Sequence, residues 1–352
     1  MRRIHQLDAV RGIAVLLVLV HNTDNYPTLH LGWIATYGWM GVDLFFVLSG
    51  FLITGILLDS RSSDGYFRDF YARRCLRIWP LYYAALVFMF VVVPFLHPAE
   101  RANIFGVRSG PWWSYLIFLQ NFLVPVPTNA LGLLGVTWSL AVEEQFYLIW
   151  PLIVRFCSVE QIRRIAFIVI CVSPWIRLYL SRHAVIIYSN SFCRLDGLMA
   201  GALLATAVRS KRFDQARFLG LAWITLGIST GLTLLLEALQ QRWLVFSFVA
   251  LAAVSLIYLA LFSQATYLQR ILANRFLVYT GTISYGIYLL AKIPVDVVKV
   301  LRLDQYPLLA FTITVCGAYV LAIITWNFLE RPFLRLKHHF ESRPVQRAYS
   351  AR

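Results

Sequence analysis

Ten separate runs of mostly apolar residues recur along this chain, each close to the length a helix needs to cross a bilayer. They cover residues 9–25, 39–58, 78–96, 137–154, 165–180, 192–208, 218–236, 243–262, 276–291 and 306–329. A spanning helix needs about 20 apolar residues at 1.5 Å per residue. The third, seventh, eighth, ninth and tenth runs carry no Asp, Glu, Lys or Arg. Composition agrees: 14% of the 352 residues are charged, about half the share of a soluble domain, and the mean hydropathy is +0.67. A water-soluble fold, a disordered chain and a coiled coil are excluded together. The expected fold class is all-α, a polytopic membrane bundle of about ten transmembrane helices. The apolar stretch 112–123 is too short to span and is expected to be interfacial or re-entrant.

The formal charge of +15 would point to nucleic acid in a soluble protein. Its distribution argues otherwise. Ten spans put both termini on one side, and that side collects 22 of the 32 basic residues against 8 towards the other, Arg177 near the outer end of the fifth run being counted among the 8, with Arg11 and Arg194 inside spans. Basic residues gather in cytoplasmic loops, so both termini are expected in the cytoplasm. No compact basic domain remains to hold nucleic acid. The first run keeps Arg11 and lacks a small-residue cleavage pattern, so it reads as a retained span. Residues 1–336 are expected to form one membrane domain and 337–352 a short basic cytoplasmic tail. The five cysteines show no paired spacing, and neither a disulfide nor a metal site is expected.

Ionisable side chains inside a membrane are costly and mark cavities or partners. In the first run, Asp8 and Arg11 are three apart, share a helix face and read as a structural ion pair. His21 lies ten residues beyond Arg11, about 15 Å further along, and is the side chain best suited to proton transfer near neutral pH. In the second run, Gly41 and Gly50 permit close helix approach. Asp43 stands near that run's outer end, either orienting His21 or solvated at the membrane edge. Arg74 and Arg77, three apart at the end of the next loop, match phosphate oxygens or simply anchor the loop. Glu143 and Glu144 are adjacent and point about 100° apart on a helix, so both escape lipid only in a buried or cavity-lining helix. Arg194 and Asp196 point to different sides and are each expected to pair with another helix.

In this order and spacing the segments resemble the acyltransferase 3 family of integral-membrane O-acyltransferases, which modify O-antigens, exopolysaccharides and other glycans. The resemblance runs from about Leu7 to about Arg335. It rests on Leu7-Asp8…Arg11-Gly12…His21, the block 41–51, Arg74-x-x-Arg77, Trp138-Ser139-Leu140…Glu143-Glu144, and Glu330-Arg331-Pro332-Phe333. The resemblance implies transfer of an acyl group, acetyl being expected, from acyl-CoA (acetyl-CoA) to a hydroxyl of a glycan or lipid-linked sugar in the bacterial inner membrane. His21 becomes the essential histidine, as general base or transient acyl carrier. Glu143, Glu144 and Asp43 join it as candidate catalytic residues. Arg74 and Arg77, with Arg73, become the donor-binding arginines. Asp8, Arg11, Ser139, Arg194, Asp196 and Glu330 are expected to line the cavity or lock the bundle. One departure stands out: the late motif Ser284-Tyr285-Gly286-Ile287-Tyr288-Leu289-Leu290, commonly followed by histidine in the family, runs here into Ala291 and Lys292. The competing reading is a transporter or flippase for a glycan or small anion. The absence of an inverted repeat weighs against it.

Overall fold

A computed structural model describes residues 5–23, 32–96, 110–124, 132–183, 185–210 and 213–340. Residues 24 and 25 of the first expected span and residues 341–352 of the tail lie outside these. So do the sorted basic residues Arg2, Arg3, Arg101, Arg108, Lys211 and Arg212. Among the described residues all regular structure is helical.

The first helices are α1 (His5–Asn22), the short α2 (Gly32–Tyr37), α3 (Met40–Asp59) and α4 (Tyr66–Val87). A π-helical segment, Phe88–Val92, extends α4. Then come α5 (Trp138–Phe156), α6 (Val159–Arg182), α7 (Ser191–Ala207), α8 (Arg217–Ala238) and α9 (Arg242–Phe262). Three shorter helices follow, α10 (Arg275–Thr282), α11 (Ser284–Leu290) and α12 (Lys292–Val300). The last is α13 (Pro307–Thr325), which passes through a π segment, Trp326–Glu330, into α14 (Arg331–Arg335) and a 3-10 turn, Leu336–Phe340. Local signals account for several ends. A capping box starts α6, where Ser158 Oγ accepts from the Gln161 N–H and Gln161 Oε1 accepts from the Ser158 N–H. Pro307 opens α13, where its missing N–H costs nothing.

Six helical stretches are long and apolar enough to cross a membrane: Met40–Asp59, Tyr66–Phe95, Val159–Arg182, Arg217–Ala238, Arg242–Phe262 and Pro307–Phe340. The other four expected spans are helical too, but polar content or shortness sets them apart. α1 carries Asp8 and Arg11, and α5 carries Glu143, Glu144 and Arg155. α7 has only 17 residues, and the ninth expected span breaks at Ile283 into α10 and α11.

α3 is the central post, packed against α1, α5, α7 and α9. Its apolar window is 72% buried, whereas those of α6 and α8 are 17% buried. The outward faces of α6 and α8 are nonetheless apolar, with Phe167, Ile168, Trp175, Leu221, Ile224 and Ile228 exposed. Apolar surface of that extent belongs against lipid rather than water. Glycine sets how closely the inner helices approach. A methyl group added at Gly50 of α3 would overlap the Leu198 carbonyl of α7, and one at Gly201 of α7 would overlap the Val47 carbonyl of α3. The two backbones touch through this reciprocal pair, as small residues permit in membranes.

Candidate active site

At the centre of the bundle α1, α3, α4, α5 and α11 enclose a partly open cavity of about 680 Å³ of empty space, its opening included. Three cations line one end: Arg11 from α1 and Arg74 and Arg77 from α4. Arg11 is paired, with Nη1 3.3 Å from Asp8 Oδ1. The Arg74 guanidinium lies 5.2 Å from the centre of the Tyr147 ring. The three-residue spacing of Arg74 and Arg77 puts both side chains on the cavity face of one helix.

Beyond the arginines the wall becomes a hydroxyl–carboxylate network. Ser49 Oγ donates to Glu143 Oε1 at 2.6 Å, and Tyr147 OH donates to Glu143 Oε2 at 3.0 Å. Both carboxylate oxygens are therefore occupied. Further along, Ser139 Oγ and Tyr288 OH lie 2.6 Å apart, and each also reaches the Val136 carbonyl. Along α3 the wall extends from Ser49 to Val42, seven residues or about 10 Å. Val42 follows Gly41, which packs on Ala14 and Val18 of α1. His21 sits one turn past Val18, so the cavity ends about a turn short of it.

His21 is half-buried, and its Nδ1 is 2.7 Å from the Ala35 carbonyl oxygen of α2. A carbonyl only accepts, so Nδ1 carries the proton and Nε2 is the basic nitrogen of the neutral ring. Asp43 accepts an ion pair from Arg194 at 2.8 Å, wholly inside the bundle. Four aromatic rings surround that guanidinium, the nearest being Phe246 at 4.0 Å. Asp196 pairs with Arg177 of α6 at 2.8 Å and accepts from Ser247 of α9. Arg177 further donates to the Trp243 and Cys193 carbonyls, so this second ion pair ties α6, α7 and α9 together.

Thus the fold gathers five of the residues singled out from sequence, Arg11, Arg74, Arg77, Ser139 and Glu143, around one cavity. It holds others apart. Glu144 turns towards α4, where Trp79 Nε1 donates to it at 3.4 Å. Arg73 Nε donates to the Asp69 carbonyl at 2.9 Å. Glu330 is buried in the π segment, where Gly286 of α11 leaves room for its carboxylate and the field of Arg77 reaches it. Ser49 of the block 41–51 and Tyr285 and Tyr288 of the late motif also line the cavity, without a role having been expected of them individually. Tyr147 joins them, four residues after Glu143 and so on the same helix face. Lys292, of the Ala291-Lys292 pair that follows the late motif, is buried at the start of α12.

Comparison with known proteins identifies the family of the chain. The model of the acyltransferase 3 family, described as an acyltransferase domain, matches residues 4–327, and the chain belongs to that family. It is 29% identical to the peptidoglycan O-acetyltransferase OatA of Listeria monocytogenes, over 93% of this chain and 55% of that protein. It is 30% identical to the putative peptidoglycan O-acetyltransferase YrhL of Bacillus subtilis, over 94% of this chain and 55% of that protein. A putative O-acetyltransferase of Staphylococcus aureus is 27% identical, over 95% of this chain and 58% of that protein. The chain thus spans little more than half the length of these curated relatives. No solved structure matches it.

Proposed function

We propose that this protein is a multi-pass membrane O-acyltransferase that moves an acetyl group from a coenzyme A thioester to a hydroxyl of a cell-surface glycan. The observation that carries this reading is the cavity itself, with unsatisfied arginines at one end and a histidine a helical turn beyond the other. Neither Arg74 nor Arg77 has an ion pair or hydrogen bond among the described residues. Glu143, Glu144 and Glu330 act on them only at a distance, and cations without a direct ion pair in a membrane-buried wall can take up an anion. The phosphates of the donor supply one, and guanidinium forks suit them.

With its phosphates held there, the donor's pantetheine arm lies along the wall from Ser49 to Val42 and brings the thioester towards His21. The acceptor oxygen then bonds to the acyl carbon, and His21 Nε2 takes the acceptor's proton. The carbon–sulfur bond breaks and the departing thiolate takes that proton from the imidazolium. The Ala35 carbonyl keeps the ring in the tautomer this step needs. Ten spans, with the arginine end and both termini in the cytoplasm of a bacterial inner membrane, would put the donor on the side where coenzyme A is made. The relatives' names favour peptidoglycan as the acceptor over an O-antigen. The test is His21→Ala in cells and in purified protein. Loss of glycan acetylation, with the protein retained in the membrane at normal level, is expected. Acetylation at the wild-type rate would refute the assignment.

A further inference from the structure

On α5 the cavity wall carries Ser139, Glu143 and Tyr147, each four residues from the next and so on one face of the helix. Tyr147 stands beside Arg74, and Ser139 lies eight residues, or about 12 Å, further from the arginines. Tyr288 of α11 meets Ser139 there, with its ring 6.2 Å from that of Phe45. Around these two hydroxyls the wall is apolar, formed by Val42, Phe45, Phe46 and Leu140. Glu143, the carboxylate in the wall, is a turn nearer the arginines and is engaged by Ser49 and Tyr147. The two hydroxyls have two protons between them. At 2.6 Å, one proton lies between Ser139 Oγ and Tyr288 OH. The other has the Val136 carbonyl as its partner, 3.1 Å from Tyr288 OH and 3.2 Å from Ser139 Oγ. Both distances exceed the range of about 2.5–3.0 Å usual for such bonds. This second proton is therefore weakly held, in an apolar stretch of wall, and can turn to a better acceptor in the cavity.

We propose that Tyr288 is a catalytic residue whose O–H turns from the Val136 carbonyl to the carbonyl oxygen of the acyl thioester, while Ser139 donates to Tyr288 and positions it. This rests on the reading of the donor as a coenzyme A thioester. It adds where the acyl group lies when the phosphates are at the arginines. As the acceptor oxygen bonds to the acyl carbon, the carbonyl π pair moves onto the carbonyl oxygen, and the Tyr288 hydrogen bond stabilises the charge that forms there. The pair returns as the carbon–sulfur bond breaks, and no proton leaves Tyr288. A donor aimed at developing charge in an apolar wall acts mainly on the transition state. The bond from Ser139 polarises the phenol and strengthens it as a donor. Loss of Tyr288 OH should therefore fall on kcat and not on donor affinity.

The experiment uses the full-length protein in lipid nanodiscs with acetyl-CoA. Tyr288→Phe is expected to lower kcat about a hundredfold and leave the KM for acetyl-CoA within about twofold, as for loss of one oxyanion donor. Ser139→Ala should lower kcat about tenfold, the size of one hydrogen bond, and add little to Tyr288→Phe because it acts through that residue. Infrared spectra of bound acetyl-CoA, carbon-13 labelled at the acetyl carbonyl, separate this from a merely structural role. They are recorded in a His21→Ala background, which leaves the thioester unreacted. The carbonyl stretch should lie lowest with Tyr288 and Ser139 both present, higher with Ser139→Ala and highest with Tyr288→Phe. Replacing Tyr288 with 3-fluorotyrosine, a stronger donor of nearly the same shape, should lower it further. A stretch that neither change at position 288 moves, or a wild-type kcat in Tyr288→Phe, would overturn the proposal and leave the hydroxyl pair as a tie between α5 and α11. Failure of the wild type to bind acetyl-CoA or transfer from it would instead sink the donor assignment itself.

Discussion

Asp43 of α3 and Arg194 of α7 form an ion pair at 2.8 Å with both side chains shut off from solvent. α3 and α7 also meet through Gly50 and Gly201, so charge and close packing register the same two helices. Removing one member leaves the other as an uncompensated buried charge. Asp43→Asn or Arg194→Gln should each destabilise the bundle by about 3–5 kcal/mol, and the double variant by much less than their sum. Thermal unfolding of the four proteins in one detergent checks this. Additive losses would mean that the pair is not coupled.

The reciprocal glycine contact makes a second expectation. Gly50→Val and Gly201→Val each drive a branched side chain into a carbonyl of the facing helix. Each should cost about 1–3 kcal/mol or more, because overpacked cores relax by backbone shifts. Gly220→Val of α8, where nothing lies within reach of an added carbon, should be tolerated. Yield of monodisperse protein after detergent extraction measures the difference.

Arg74 and Arg77 should act through donor binding. Arg74→Ala combined with Arg77→Ala should weaken coenzyme A binding at least a hundredfold by titration calorimetry, given about 1.5–3 kcal/mol for each hydrogen bond to a charged group. Raising the salt concentration should weaken wild-type binding and leave the double variant nearly unaffected. Unchanged affinity would return both residues to loop anchoring.

Lys292 supplies a pH test outside the spans. Burial pulls its ammonium below the usual lysine range, and Lys299 adds to this against the opposing pull of Asp296. The protonated form is thus costlier folded than unfolded. The cost is absent above 10.5, the ordinary value, and grows as pH falls from there. Lys292→Met should therefore melt higher than wild type near neutral pH, and the gap should narrow as pH approaches 10. A gap that stays constant with pH would assign the gain to packing alone.

The helical class and most of the boundaries were legible because apolar runs and local signals are written into consecutive residues. The runs at 39–58 and 243–262 became α3 and α9 almost unchanged. Arg11, Arg74, Arg77 and Glu143 stood out because charge inside an apolar run is costly wherever the chain folds. Which residues share a wall was not legible. Ser49 and Glu143 are 94 positions apart and meet at 2.6 Å. Two neighbouring carboxylates, alike in sequence, parted because one step along a helix turns a side chain by about 100°. Glu143 faces Ser49 and the cavity, and Glu144 faces Trp79. The break of the ninth run at Ile283, the capture of Asp43 by Arg194 and the return of the turn Leu336–Phe340 to α4 likewise depend on how helices pack. Sequence by itself determined that this is a helical membrane protein with a few charges too costly to be idle. Only tertiary structure decided their partners, because pairing across a bundle depends on helix rotation and depth.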